Sequence, residues 1–330
     1  LWGHQVAEIY NQYRIYYQSS GAEQKILAND SLVPRSEHLL HQILDYLRPP
    51  EVGRMLDMGC GNGGLLRSFS RIMPKWSLSG LDLSDIERDN VVRIPGVEAF
   101  YTGNIDEVAG AFDMIFLLHT LEHIPEPNLV LCKLRQKLAA QGAMIFQVPN
   151  YRQNPFDLLI ADHATHFSVE TLSSVLINAG LAVGTMADGW VRKEITVVAR
   201  PGTVAAMPAV DCAKTVSEVE TCIQWLSDVK TQAMDLARSK PIAVFGTSIA
   251  ATWLFGQMPD QVALFVDEDP CRIGRTHMDR PILAPQEIPE GMTVYLPLAP
   301  VIAEHLAMRL GQQGRQYVAP PCLSYGPDQG

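Results

Sequence analysis

The stretch Met55-Leu56-Asp57-Met58-Gly59-Cys60-Gly61-Asn62-Gly63-Gly64 constrains this chain more than any other. A short apolar strand runs straight into a glycine loop, and helix-forming sequence follows. Without a Cβ in the way, such a loop can turn tightly and bring its backbone close to a ligand. From residue 54 onward, short apolar runs alternate with helical stretches, as in a parallel sheet covered by helices on both faces. Strands are expected near 55–58, 78–83, 99–101, 114–118 and 143–148. Two more are expected near 181–186 and 194–199, after a helix beginning around Ser168.

The flanking regions have a different texture. The first fifty residues read as helical, with Tyr10, Tyr13, Tyr16 and Tyr17 close together and a break at Ser19-Ser20-Gly21. A helix is expected over 35–47, because Leu39, Leu40, Ile43, Leu44 and Leu47 recur at helical spacing and Pro49-Pro50 ends the pattern. The Pro- and Gly-containing stretch 201–208 reads as a linker. A long amphipathic helix follows, with Val216, Val219, Ile223, Leu226, Val229 and Ala233 on one face. A second, smaller α/β unit then has strands expected at 242–245, 264–266 and 294–296 and a helix near 301–310. The organisation expected is a helical cap (1–48), a ligand-binding α/β domain (49–200), a linker and long helix (201–240) and a C-terminal α/β domain (241–330).

Composition narrows the function. The 330 residues carry a formal net charge of −10, which disfavours general binding to nucleic acid phosphates or anionic membrane surfaces. No apolar run reaches bilayer-crossing length and no cationic apolar leader is present, so a cytoplasmic location is expected. The first residue is Leu1, as in a trimmed or processed chain. The six cysteines are scattered with no C-x-x-C pair, which points to reduced thiols rather than zinc or disulfides.

Taken alone, the glycine loop also satisfies the dinucleotide pattern G-x-G-x-x-G through Gly59, Gly61 and Gly64. Three neighbours shift the balance. Asp57 stands two residues before the first glycine, where a carboxylate suits a cationic amino acid group and suits a pyrophosphate poorly. Asp82 closes the second strand, where it can accept hydrogen bonds from ribose hydroxyls. The third is Phe112-Asp113-Met114-Ile115-Phe116 followed by Leu118-His119-Thr120-Leu121-Glu122-His123. Together, L-D-M-G-C-G-N-G, L-D-L-S and F-D-M-I-F-L-L-H-T-L-E-H-I resemble the motif series of class I S-adenosylmethionine (SAM)-dependent methyltransferases over about residues 50–200. The resemblance implies a doubly wound, mostly parallel seven-stranded sheet with SAM as cofactor and S-adenosyl-L-homocysteine as product. It implies that Asp57, Gly59, Cys60 and Gly61 lie along the methionine part of SAM, Asp82 and Leu83 by the ribose, Asn104 and Ile105 by the adenine, and His119 near the methionine end.

The C-terminal series Val244-Phe245-Gly246-Thr247-Ser248, Phe265-Val266-Asp267-Glu268-Asp269-Pro270 and Arg272-Ile273-Gly274-Arg275 resembles the Rossmann-like C-terminal domain of sugar C-methyltransferases, which act on nucleotide-linked deoxysugars. Gly246 opens a strand-to-helix turn able to face a phosphate, Asp267 ends the next strand, and Arg272 offers charge-assisted contacts. Asp162-His163-Ala164-Thr165-His166-Phe167-Ser168 resembles that family's E-H-x-x-[YH]-F-S stretch, whose histidine is the proposed base. By that likeness His163 is the base, with His166 and Tyr151 as further catalytic candidates; histidine titrates in the range that suits proton abstraction at neutral pH. Glu122 and His123, together with Tyr13 and Tyr17, are candidates to line the acceptor site. The His163/His166 pair also reads as H-x-x-H, but too few further ligands can be assigned and no metal is expected. The function expected is methyl transfer to a small polar metabolite, with C-methylation of a nucleotide-linked sugar or natural-product intermediate leading. O- or N-methylation of a small molecule and a non-catalytic SAM-binding scaffold stand as alternatives.

Overall fold

The computed structural model describes residues 25–28, 31–202, 210–311 and 315–325; Tyr13 and Tyr17 lie outside them. A hairpin comes first, β1 (Lys25–Ala28) against β2 (Ser31–Pro34). This corrects the reading of the first fifty residues as helical: the two runs KILA and SLVP pair with each other. Helix α1 (Arg35–Leu47) follows immediately.

Seven strands then build one sheet in the order β5-β4-β3-β6-β7-β9-β8. They are β3 (Arg54–Met58), β4 (Ser77–Asp82), β5 (Val97–Thr102), β6 (Phe112–Leu118), β7 (Leu138–Pro149), β8 (Leu181–Ala187) and β9 (Glu194–Pro201). All the ladders are parallel except those of β9, which runs antiparallel to both β7 and β8. The crossovers hold α2 (Gly64–Ile72), the single turn α3 (Arg88–Val91), α4 (Pro127–Arg135) and α5 (Val169–Asn178). Period-two alternation sends Leu56, Ile115 and Phe146 to the face covered by Leu131, Leu134, Leu172 and Leu176 of α4 and α5. Their neighbours Met55, Phe116 and Ile145 go to the face covered by Leu39, Ile43, Leu66 and Phe69 of α1 and α2. Burial on both faces is why these strands read as continuous apolar runs. At α5 the Ser168 side chain accepts from the Thr171 N–H and the Thr171 hydroxyl accepts from the Ser168 N–H, a reciprocal cap that fixes where the helix begins.

The long helix α6 (Cys212–Leu236) starts on Asp211, whose side chain accepts from the Lys214 N–H. It packs Trp225, Val229 and Ala233 on a second sheet of order β12-β13-β11-β10-β14-β15. Its strands are β10 (Ile242–Phe245), β11 (Val262–Val266), β12 (Thr276–His277), β13 (Arg280–Leu283), β14 (Val294–Tyr295) and β15 (Tyr317–Val318). Helix α7 (Ile249–Gln257) covers one face with α6, and α8 (Pro300–Gly311) covers the other. Apart from β12, which is antiparallel to β13, this sheet is parallel and changes winding direction between β10 and β14. In doubly wound sheets the ligand crevice forms at that reversal. The first sheet reverses in the same way between β3 and β6. No helix among the described residues is long and apolar enough to cross a membrane.

Candidate active site

The glycine loop sits at the reversal point of the first sheet. Gly59 (φ +78°) and Gly61 (φ +49°) are in the left-handed region. The Gly59 N–H donates to Leu81 O at 2.7 Å, and the Gly61 N–H donates to Asp82 Oδ2 at 2.8 Å. The carboxylate that sequence reasoning assigned to a ribose therefore also shapes the loop. A Cβ on Gly59 would lie 2.3 Å from Thr120 Oγ1, and the Thr120 hydroxyl donates to Met58 O at 3.0 Å. Gly59→Ala is expected to weaken SAM binding by more than about tenfold, since strain of this kind costs ~1–3 kcal/mol; calorimetric titration reads it directly.

Asp57 is buried on β3, and burial with Asp82 nearby pushes its carboxyl up to about 8. A buried carboxylate of this kind suits a cation, and the amino acid end of SAM carries one. The rest of the sequence-assigned cofactor set is spread along the same edge. Cys60 is buried, with its thiol pushed up by burial and by Asp57 and Asp82. Leu83 is exposed, Ile105 is buried, and Asn104 caps the turn Ile105–Glu107 by accepting from the Asp106 N–H at 2.9 Å.

Beside this loop, the segments after β6 and β7 meet, joined by the Thr165 N–H donating to Glu122 O at 3.1 Å. His163 and His166 both converge on one residue that sequence reasoning missed. Asp157, in the turn Pro155–Leu159, is fully buried and accepts from His163 Nδ1 at 2.8 Å and from His166 Nδ1 at 2.7 Å. Burial alone would raise the Asp157 carboxyl, but the two imidazoles outweigh it and hold it below its ordinary value. Asp162, the acidic neighbour of His163 in sequence, pairs instead with His123 Nδ1 at 3.1 Å. That hydrogen bond holds Asp162 low, and it raises His123 against the effect of burial. The His123 ring packs edge-on to His163 with centroids 4.7 Å apart.

Glu122 is buried, its carboxyl pushed by burial up to about 8, with Oε1 3.2 Å from His119 Nδ1. His119 takes a positive φ of 51° and also faces Arg35, which in turn donates to Gln147 Oε1 at 2.5 Å and lies 3.4 Å from Glu194. Burial, with Arg35 and Lys193 close by, holds His119 well below its ordinary value. Among the described residues, Glu122, His123 and His163 bring one ligand-type atom each within 4.8 Å of one another, as do Asp157, His163 and His166. These two groups have the donor types a metal ion takes.

Four sequence-assigned residues lie apart from this cluster. Tyr151 is buried with its hydroxyl 3.4 Å from Glu218 of α6, which also pairs with Arg152 at 2.6 Å. Gly246 (φ +80°) donates its N–H to Val266 O at 2.7 Å, the same closure Gly59 makes with Leu81. Arg272 donates to Thr247 Oγ1 at 2.9 Å and to Asp267 Oδ2 at 3.3 Å, so the side chains expected at the second reversal point hold each other.

The cysteines divide by location. Cys60 and Cys222 are buried, Cys132 is half-buried, and Cys212, Cys271 and Cys322 are exposed.

A family model described as a methyltransferase domain matches residues 32–185. The trans-aconitate 2-methyltransferase of Deinococcus radiodurans is 26% identical over 119 residues, covering 36% of this chain and 46% of that protein. A ubiquinone biosynthesis O-methyltransferase of Shewanella pealeana is 33% identical over 106 residues, covering 29% and 44%. The chain spans about half the length of the curated relatives it matches. A SAM-dependent methyltransferase from Clostridium acetobutylicum overlies 60% of the chain and 97% of its own at a TM-score of 0.42 and 13% identity. Residues 32–185 are thus similar to a methyltransferase domain.

Proposed function

We propose that the chain transfers a methyl group from SAM to a small polar acceptor, with His163 and His166 taking the acceptor's proton. The observation that carries this reading is the single buried carboxylate of Asp157 on both imidazole Nδ1 atoms. An ionised carboxylate only accepts hydrogen bonds, so Nδ1 of each ring carries a proton, and Nε2 is the atom left to accept one whenever the ring is neutral. SAM, when bound, supplies an electrophilic methyl on a sulfonium. The chain then has to present a nucleophile in line and remove its proton.

The specific reading is C-methylation of a nucleotide-linked sugar or natural-product intermediate, with Gly246, Asp267 and Arg272 holding the nucleotide part. A carbon acid needs a base, and two oriented imidazoles supply one. O-methylation is the second reading, favoured by the O-methyltransferase named among the relatives. A hydroxyl acceptor uses the same two imidazoles.

The test is S-adenosylhomocysteine release from SAM across a panel of nucleotide sugars, phenols and hydroxy acids. His163→Ala and His166→Ala are each expected to lower turnover by about 10²-fold or more, the usual range for losing a general base, with SAM affinity retained. Full turnover in both variants would remove the base assignment.

A further inference from the structure

His166 faces two ways. Its Nδ1 is tied to Asp157, and its ring also lines a cavity of about 510 Å³. The opposite wall is one face of α6, where Ile223, Leu226, Ser227 and Lys230 recur at helical spacing. Leu158 and Leu159 form the floor, and Trp253 of α7 closes the side toward the C-terminal unit. The volume is that of a small-molecule site.

Two features indicate what fits. The walls are apolar, and Ile223 is 57% exposed, an unusual solvent contact for isoleucine on a helix already packed on one side. Among the described residues that line it, Lys230 is the only Lys or Arg and no Asp or Glu contributes, although the chain carries 36 acidic residues against 26 basic ones. No hydrogen bond or ion pair ties Lys230 to another described residue. A lone cation among apolar side chains on an acidic protein makes a local attraction for anions.

We propose that this cleft is the acceptor site and that the acceptor is an amphipathic anion. Its flat apolar body lies between Ile223, Leu226 and Trp253, its carboxylate or phosphate meets Lys230, and its reacting end points to His166. The assignment rests on the methyl-transfer reading, takes its natural-product branch rather than its nucleotide-linked one, and adds a substrate class to it.

The test uses the full chain saturated with S-adenosylhomocysteine and does not depend on turnover. The fluorescent anion 8-anilinonaphthalene-1-sulfonate is expected to bind once per chain, with energy transfer from tryptophan. Lys230→Gln should weaken it by about fivefold or more, as loss of one charge-assisted contact does. The uncharged N-phenyl-1-naphthylamine should bind wild type and variant alike. Ser227→Trp should block both dyes while leaving the affinity for S-adenosylhomocysteine intact. Competition by 2-naphthoate against 2-naphthyl phosphate tells which anion the cleft takes. Equal dye affinity in wild type and Lys230→Gln overturns the proposal. So does a dimer that Ser227→Trp converts to monomer, which would make this face a contact between copies. If methyl transfer failed while dye binding followed the expected pattern, the function reading would fall and the site would stand.

Discussion

Asp157→Ala is expected to lower methyl transfer by about 10²–10⁴-fold, the span attributed to a positioned general base. On the proposed mechanism Asp157 is a positioning residue, acting through His163 and His166, which it holds at 2.8 and 2.7 Å. Removing it frees both rings to rotate and to exchange tautomers, so two proton acceptors lose their aim at once. The buried polar groups left behind cost stability of ~1–3 kcal/mol, so a lower melting temperature alone proves nothing. Two readouts separate positioning from folding. SAM affinity should stay within about twofold, because the glycine loop shares no hydrogen bond with Asp157. Nitrogen-15 correlation spectra of the imidazoles should show Nδ1–H tautomers in wild type and a mixture in the variant. Asp157→Asn, which keeps the shape without the charge, should recover the melting temperature more than the rate. Unchanged tautomers alongside a lost rate would sink the positioning role.

Asp57→Asn should pull stability and cofactor binding in opposite directions. With its folded-state carboxyl near 8 against an ordinary 3.8, the folded chain keeps a proton that the unfolded chain has lost. Stability of the unliganded protein therefore falls as pH climbs from about 4 to about 8, because the folded state binds more protons throughout that window. Asparagine removes the ionisation. The variant should melt several degrees higher than wild type at pH 8.5 without ligand, at roughly 2–4 °C per kcal/mol for a chain of this size. SAM affinity should fall by about tenfold or more, ~1.4 kcal/mol, since the carboxylate proposed to meet the cationic amino acid group is gone. Melting curves against pH with and without SAM check both arms. A variant no more stable at pH 8.5 would mean that Asp57 is not the buried charge it is taken to be.

Much of the first sheet was legible because strands covered on both faces read as apolar runs, and 55–58, 114–118 and 194–199 fall inside the strands found. The edges were less so. β7 extends back to Leu138 through Ala-Ala-Gln-Gly, which carries no strand signature and is fixed by pairing Phe112 with Leu138. The β1–β2 hairpin escaped because each strand is four residues long and only their mutual pairing defines them. In the candidate site, the histidines announced themselves and their shared carboxylate did not. Asp157 sits in Pro-Phe-Asp-Leu-Leu, where every neighbour reads as core, and its partners are six and nine residues away in an irregular loop with no period to read. Arg35 and Glu194 meet only because α1 and β9 pack at the same sheet end, 159 residues apart in sequence. No local pattern encodes such a meeting.

The distribution of thiols gives the chain a ready set of attachment points. Cys212 begins the long helix, Cys271 lies in the turn after β11 and Cys322 follows β15, all three open to solvent. Cys60, inside the glycine loop, is buried and its thiol is held protonated, the form that reacts poorly with alkylating agents. Spin labels or dyes can therefore be placed along the helix and the second sheet of the native sequence, reporting distances there while the glycine loop stays chemically untouched.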